Sequence, residues 1–316
     1  MIRALKTKQL TIEKAELTIL KALAYFDIFD YPLSQQEIKN FLGYRISESQ
    51  FRQAFQRLFF GETIFKVGEF YSLRNDPDIA ERRTEGNLRA NKLLPRAARI
   101  GAFLYRFPYV RGVAVSGSLS KNYADEKADI DFFIITKSNR LWIARTLLHL
   151  FKKLTFLFGR QHFYCMNYFI DEKAMNLQDQ NIYSAMEVVT LLPVAGKGIM
   201  NKFFRINEWT EEWFPAYVAE HELRVSDRNS IFKKMIERGF DRKMGDRFDD
   251  IFFKWTSRRW QKKEQSGRKN TKGKVMNLVT GKHFSKSDPG AFQAKIVALH
   301  EYKVEQLRNR WPQFFD

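Results

Sequence analysis

The stretch VSGSLSKNYADEKADIDFFII, residues 115–135, decides the fold of this chain and raises a question of charge. An apolar run ends in Gly117 and Ser118, a polar turn follows, and Asp129 and Asp131 stand at the start of a second apolar run. Alternate side chains of a β-strand share a face, so the two aspartates are predicted to point the same way. Two neighbouring carboxylates repel, and desolvation increases the repulsion. The pattern therefore predicts a positive partner at this point.

A divalent cation resolves the repulsion, because Mg²⁺ is commonly held by one or two carboxylates together with substrate phosphates. Gly117 lets the backbone approach a ligand closely. The amide and hydroxyl of Ser118 are placed to hold a phosphate, and a helix predicted to begin near Leu119 adds the positive end of its dipole. The alternative is a solvated strand edge, in which Lys127 pairs with one of the aspartates.

The joint pattern resembles that of a known superfamily. Gly-Ser, a separation of eleven positions between Ser118 and Asp129, and Asp-x-Asp entering an apolar strand are similar to the motif of the DNA polymerase β-like nucleotidyltransferases. The resemblance covers residues 112 to about 171. It implies a mixed-sheet catalytic core that works with a nucleoside triphosphate.

The resemblance also implies roles for individual residues. Gly117 and Ser118 would hold the triphosphate, and Asp129 and Asp131 would be the catalytic, metal-binding residues for Mg²⁺ or Mn²⁺. Lys121 lies in the intervening loop as a further phosphate contact, at a position that the superfamily does not fix.

The superfamily usually carries a third carboxylate on a later strand, which here should lie within HFYCMNYFID, residues 162–171. Strict alternation predicts one shared face for Cys165, Asn167, Phe169 and Asp171. Asn167 is best placed but is no carboxylate, whereas Asp171 has the right chemistry at the end of the strand. Three alternatives stay open: a two-aspartate enzyme, a different acid such as Glu187, or a protein that binds nucleotide without turnover.

The order of predicted elements gives an α+β fold class. Capping-box patterns at Ser34 with Glu37 and at Ser47 with Gln50 begin two helices, and a hairpin follows around Gly68. Residues 181 onward are expected to be helical, including INEWTEEWFPAYVAE at 206–220. The predicted divisions are a winged-helix domain (1–75), a connecting helix broken at Pro95 (76–111), the nucleotidyltransferase core (112–180) and a helical, basic C-terminal region (181–316).

The charge of the chain is strongly positive. Its 54 Lys and Arg against 36 Asp and Glu give a formal net charge of +18. Residues 224–274 carry 17 Lys and Arg against 7 Asp and Glu, interleaved with Phe and Trp. Basic residues with exposed aromatics suit single-stranded RNA. The alternative is a helix pair that buries its aromatics and solvates its lysines.

Several classes of protein are disfavoured by composition. No apolar run approaches the roughly 18 residues of a membrane helix, and charges throughout residues 1–17 predict no signal peptide. The single cysteine, Cys165, excludes an intrachain disulfide, favours a cytoplasmic location and is expected in the core. The five histidines show no zinc-ligand spacing.

The predicted function is transfer of a nucleoside monophosphate from a nucleoside triphosphate to an acceptor, which is RNA, a protein or a small molecule. The rival is a non-catalytic nucleic-acid-binding or regulatory protein, whose degenerate core senses nucleotide. In that case Arg52 and Arg57 of the N-terminal domain face DNA. The domain alternatively serves packing or dimerisation alone, and the sequence leaves the oligomeric state open.

Overall fold

The computed structural model describes residues 12–156, 163–219, 223, 225, 230–239, 243–269, 273 and 275–315. Over this part of the chain the fold is mixed α+β, with eleven α-helices, a two-stranded hairpin and a mixed six-stranded sheet. No helix in these ranges is both long and apolar enough to cross a membrane. The α+β class expected from the sequence is confirmed.

The N-terminal module is built from three helices and a hairpin, in the order predicted for residues 1–75. Both capping boxes are formed, with Ser34 and Ser47 each accepting from the backbone N–H three residues on. Gly68 turns the hairpin with φ +60°, a conformation that glycine adopts without strain. Whether the module is a winged helix stays a prediction. Its elements are α1 (Ile12–Asp27), α2 (Gln35–Asn40), α3 (Glu48–Phe60), β1 (Phe65–Val67) and β2 (Phe70–Ser72).

The connecting helix α4 (Pro77–Leu104) runs unbroken through Pro95, so the predicted break is wrong. Proline removes one backbone hydrogen bond within a helix. Here the turns on both sides are held by burial of Ala90, Leu94 and Ala97 against the core. Packing of an apolar face outweighs the local preference of one residue.

The central sheet confirms the predicted succession of strand, turn, strand, helix and strand. A four-residue helix, α5 (Gly117–Ser120), follows β3 directly, and α6 (Leu141–Phe156) links β4 to its parallel neighbour β5. The sheet order is β6-β3-β4-β5-β8-β7. Its strands are β3 (Val110–Ser116), β4 (Asp131–Thr136), β5 (Cys165–Asp171), β6 (Leu192–Ala195), β7 (Leu278–Gly281) and β8 (Phe284–Ser287).

The C-terminal region departs from the all-helical expectation, because β6, β7 and β8 all join the central sheet. Each has only four residues, and β6 carries Pro193 at a sheet edge, where a strand tolerates proline. Runs this short carry almost no periodic signal. The remaining helices are α7 (Ile182–Val189), α8 (Lys197–Ile206), α9 (Ile231–Gly239), α10 (Lys243–Gln265) and α11 (Phe292–Arg310).

The helix expected at 206–220 is reduced to a short 3₁₀ turn, Glu208–Glu212. The buried side chain of Asn207 donates to the carbonyls of Met175 and Phe203 and accepts from the Leu177 N–H. A side chain that ties down backbone groups in this way ends regular structure locally. The loop predicted at 264–274 lies partly outside the described residues.

The two faces of the sheet are covered differently. Phe132, Met166 and Phe169 pack on one face, in the core shared with α4 and α6. The other face carries Phe133 and Ile170, which pack against Met200 and Phe203 of α8. The core of the N-terminal module continues into α7 and α11. The module therefore borders the sheet end where β3 stops and β4 begins.

Candidate active site

A cavity of about 590 Å³ opens at the end of the sheet where β3 stops and β4 begins. Ser116, Gly117 and Ser118 line it together with Asp131 and Asn167. Small-molecule sites commonly enclose ~300–1,000 Å³ and combine apolar walls with a few polar groups. The volume and the lining both fit that description.

The Gly117 turn is fitted closely to Asp131. Strands β3 and β4 are antiparallel with Ser116 opposite Asp131, so the turn comes directly beside the carboxylate. Gly117 has φ +70°, and a Cβ added to it would lie 2.8 Å from Asp131 Oδ2. Both the positive backbone angle and the lack of room for a Cβ beside Asp131 require glycine here. The predicted Gly-Ser element is thus brought together with Asp131, the second aspartate of the Asp-x-Asp element.

Asp131 is oriented by a chain of side chains on β5. Asn167 Nδ2 donates to Asp131 Oδ1 at 2.5 Å, and Cys165 Sγ donates to Asn167 Oδ1 at 3.2 Å. Because both ends of the amide are engaged, its orientation is fixed. Asn167 therefore acts on the carboxylate of Asp131 as a hydrogen-bond donor.

Asp129 lies just before β4 and does not line the cavity. Ile130, between the two aspartates, is fully buried. Burial raises the pKa of the Cys165 thiol to about 12, and the charges of Asp131 and Asp129 add to this effect while Lys152 opposes it. Both carboxylates therefore lie near one sulfur atom. The thiol is held protonated, although Cys165 is partly exposed rather than in the core as expected.

The third-acid prediction is corrected by a bulge in β5. Phe132 pairs with Met166 and Phe133 pairs with Tyr168, so Asn167 is an extra residue and the alternation changes face there. Asn167 and Tyr168 both line the cavity, whereas Asp171 does not. The shared face predicted for Asn167 and Asp171 is wrong.

Asp171 has a different, structural role. It is fully buried and accepts from the N–H groups of Asn139 and Lys173 at 2.8 Å and 2.9 Å. His283 Nδ1 lies 2.8 Å from Oδ2, the same carboxylate oxygen that accepts from Asn139. These partners lie at the end of the sheet opposite to the cavity. Asp171 is therefore excluded as a third acid beside Asp131.

Lys121 and Glu187 form an ion pair in the cavity wall. Lys121 Nζ lies 2.7 Å from Glu187 Oε1 and 3.2 Å from the carbonyl oxygen of Gly117. Tyr31 of the N-terminal module donates to the Lys121 carbonyl at 2.7 Å. The predicted phosphate contact thus has its charge balanced by Glu187. Glu187, named from the sequence as an alternative acid, brings a carboxylate to the cavity from α7.

The aromatic part of the wall was missed by sequence reasoning. Its residues come from α1 and the loop after it, from α7 and from α11, segments far apart in the chain. No local pattern marks them, because each also belongs to an amphipathic helix or its end. The main members are Tyr25, Phe26, Phe29, Tyr31, Tyr183 and Phe292.

At the cavity, the carboxylate of Asp131 offers the kind of oxygen donor that a hard divalent cation takes, whereas Asp129 does not line the cavity. Among the described residues, no group of three or more His, Cys, Asp or Glu side chains is arranged to hold a metal ion. A magnesium site built on Asp129 and Asp131 stays a prediction, and its donors, carboxylate oxygens alone, are of the kind that Mg²⁺ selects. The close fit of the Gly117 turn against Asp131 leaves this carboxylate directly beside the cavity.

The basic region lies apart from the cavity. None of its described residues lines the cavity, and α10 packs on α6, with Phe252 and Phe253 against the core on that side. Trp255 is 55% exposed and carries Arg259 over its ring. Some of the described aromatics of this region are therefore buried and others face solvent, and single-stranded RNA as its partner stays a prediction. Residues 224, 226–229, 240–242, 270–272 and 274 of this region are outside the described part.

Comparison with known proteins finds no relative of this chain. No family model matches the chain, and no curated protein or solved structure shows significant similarity to it.

Proposed function

We propose that this protein is a metal-dependent nucleotidyltransferase, which moves a nucleoside monophosphate from a nucleoside triphosphate to an acceptor. The observation that carries the proposal is the Gly117–Ser118 turn held against Asp131 at the mouth of a ligand-sized cavity. A Gly-Ser turn beside an Asp-x-Asp strand serves phosphate and metal at once.

Each residue has a part in the proposed reaction. The backbone at Gly117 and Ser118 holds the phosphates, and Asp129 and Asp131 hold Mg²⁺ or Mn²⁺. The bound metal supplies charge neutralisation on the phosphate oxygens. Asn167 keeps the Asp131 carboxylate in one orientation. Catalysis of nucleotidyl transfer depends mainly on positioning and electrostatics, so the protein needs to form few or no covalent bonds with the substrate.

The test is nucleotide binding and label transfer with matched variants. Each α-³²P-labelled nucleoside triphosphate is incubated with the protein and Mg²⁺ or Mn²⁺, with sugars, with total RNA and alone. The variants are Asp131→Asn and Asp129→Asn. Glu126→Gln, an exposed acid of the same loop, is the control. We expect the nucleotide with metal to raise the melting temperature of the wild type and the control only. Absence of any such shift in the wild type would overturn the proposal.

A second candidate function is nucleotide sensing without turnover. It is favoured by one observation, the amide of Asn167 at the position where a third carboxylate was expected. A melting-temperature shift that depends on Asp131, with no label transferred to any acceptor, would select this candidate over the enzyme.

A further inference from the structure

We propose that Tyr25, Tyr183 and Glu187 form the acceptor subsite of this cavity, and that the acceptor is a small polyhydroxylated ring compound of monosaccharide size. The inference rests on the proposed function and narrows its acceptor from RNA, protein or small molecule to one class.

The first support is the set of polar groups without a protein partner. Tyr25 is only 3% exposed, yet its side chain lines the cavity, as does that of Tyr183. Neither hydroxyl makes a hydrogen bond within the described part of the chain. Buried polar groups are nearly always paired in native proteins. The buried hydroxyl of Tyr25 and the partly buried hydroxyl of Tyr183, at one cavity wall, are therefore placed for a ligand.

The carboxylate of Glu187 belongs to the same cluster. Burial raises the pKa of Tyr25 and Tyr183, and the charge of Glu187 is the next cause for both. Asp131 also contributes to the raised pKa of Tyr183. Tyr25, Tyr183 and Glu187 line the same cavity as the proposed metal-binding aspartate. Glu187 Oε1 is occupied by Lys121, and Oε2 is the acceptor oxygen left for a ligand.

The chemistry of the wall selects the ligand class. A sugar hydroxyl both donates and accepts, which matches two phenol hydroxyls and one carboxylate oxygen. Neighbouring rings, including Phe29 and Phe292, give flat apolar surfaces for the C–H faces of a sugar ring. A small ligand held by a few directed polar groups on an aromatic wall is typical of cavities of this volume.

The charge of the wall disfavours a nucleic acid. Acidic residues outnumber basic ones, and each basic side chain has a carboxylate within ion-pair distance. Beyond the metal-bound triphosphate of the proposed donor, a further polyanion meets repulsion in such a cavity. The described positive residues of the basic region do not line the cavity, and its helix α10 packs on α6. The lining acids are Asp125, Asp131, Asp179, Glu187 and Asp288, and the bases are Arg82, Lys121 and Lys286.

The step balances with the donor already proposed. An acceptor hydroxyl oxygen forms a bond to the α-phosphorus while the bond from that phosphorus to the β-phosphate oxygen breaks. Pyrophosphate leaves with the electrons of that bond. The hydroxyl proton passes to Glu187 and then to solvent.

The experiment measures sugar binding and nucleotide binding separately on the full chain. Neutral hexoses, hexosamines and pentoses are titrated by calorimetry into the protein with Mg²⁺ and a non-hydrolysable nucleoside triphosphate analogue. Tyr25→Phe and Tyr183→Phe keep each ring and remove its hydroxyl. Tyr44→Phe, at a tyrosine that is 55% exposed outside the cavity, is the matched control.

We expect at least one sugar to bind the wild type and Tyr44→Phe equally. Tyr25→Phe and Tyr183→Phe should each weaken it roughly tenfold, as for loss of one hydrogen bond. Nucleotide affinity should be unchanged in all three variants. Weakened nucleotide affinity in either cavity variant would overturn the inference, because the wall would then hold the donor base.

Failure of the inference is distinguishable from failure of the proposed function. If nucleotide binding depends on Asp131 but no sugar binds, and RNA alone accepts label, the acceptor class proposed here is wrong and the nucleotidyltransferase stands. If the nucleotide analogue does not bind the wild type, the proposed function fails whatever the sugars do.

Discussion

The two ends of the central sheet hold their charged groups in opposite ways. At the cavity end, charged groups bind mainly other side chains, with Asp131 on Asn167 and Lys121 on Glu187. At the opposite end, buried charges bind the backbone, as Asp171 does at the N–H groups of Asn139 and Lys173. Backbone partners cannot move without unfolding local structure, whereas side-chain partners rearrange around a ligand. Identical residue types therefore hold the fold together at one end and, under the proposed function, are expected to serve chemistry at the other.

Other buried charges at the end of the sheet opposite to the cavity also bind backbone groups. Asp249 accepts from the N–H groups of Trp142 and Ile143 at the start of α6. Lys233 donates to the carbonyls of Tyr105 and Val110, before and at the start of β3. Removing such a group leaves backbone partners unpaired, and that cost falls on folding.

The largest effect is expected for Asp171→Ala. It deprives two backbone N–H groups and His283 of their acceptor, so the free energy of unfolding should fall by about 3–5 kcal/mol. Urea denaturation measures this. Nucleotide binding by the folded fraction should be unchanged. A decrease in the free energy of unfolding below about 1 kcal/mol would contradict a structural role for Asp171, and with it the contrast between the two ends of the sheet.

The next effect is expected for Asn167→Asp, which places a second carboxylate oxygen against Asp131. Without divalent metal, repulsion should lower the free energy of unfolding by about 2–3 kcal/mol. Added Mg²⁺ should restore most of it, since a cation relieves the repulsion. The measurement is urea denaturation with and without Mg²⁺. Equal destabilisation under both conditions would mean that this carboxylate pair does not bind the ion.

A smaller effect is expected for Gly117→Ala, because alanine at φ +70° is strained and its Cβ meets Asp131 Oδ2. We expect a loss of about 1–2 kcal/mol in stability together with loss of nucleotide binding. Gly198→Ala in α8 is the control, since its Cβ meets nothing within 4 Å. That variant should gain up to about 1 kcal/mol. Unimpaired nucleotide binding by Gly117→Ala would count against the turn as a phosphate site.

The smallest effect concerns the pH dependence that Lys233 gives to stability. Burial lowers the pKa of Lys233 to about 8, Arg111 adds to this, and Glu237 opposes it. Between pH 8 and the ordinary lysine pKa of about 10.4, the unfolded chain binds the proton that the folded chain has released. The free energy of unfolding should therefore rise with pH in this window, by on the order of 1–3 kcal/mol.

Lys233→Met should remove that rise, whereas Lys66→Met, at an exposed lysine, should keep it. Urea denaturation of the three proteins is measured at pH 8 and pH 10. The change in stability between the two pH values is then compared among the proteins, so the contributions of all other titrating groups cancel. If the free energy of unfolding rises equally with pH in the wild type and in Lys233→Met, the pKa of Lys233 is not lowered by burial in the folded protein.

Some of this structure was predictable because its causes are local. Ser34 and Ser47 lie three residues from their capping partners, and the turn from Gly117 to Asp131 joins two consecutive strands. Short-range hydrogen bonds and the two-residue period of a strand suffice for such features. The predicted helix break at Pro95 was wrong, and the four-residue strands were not predicted, because tertiary packing rather than local propensity decides both features.

The sequence by itself determined the α+β class, the three helices and hairpin at the start, and the pairing of Gly117 and Ser118 with Asp131. Only the tertiary structure decided the rest of the site: the bulge at Asn167, the ion pair of Lys121 with Glu187, and the aromatic wall around Tyr25. The physical reason is sequence distance. A cavity wall assembled from α1, α7 and α11 depends on how three separate apolar faces pack together. No periodicity within one segment carries that information.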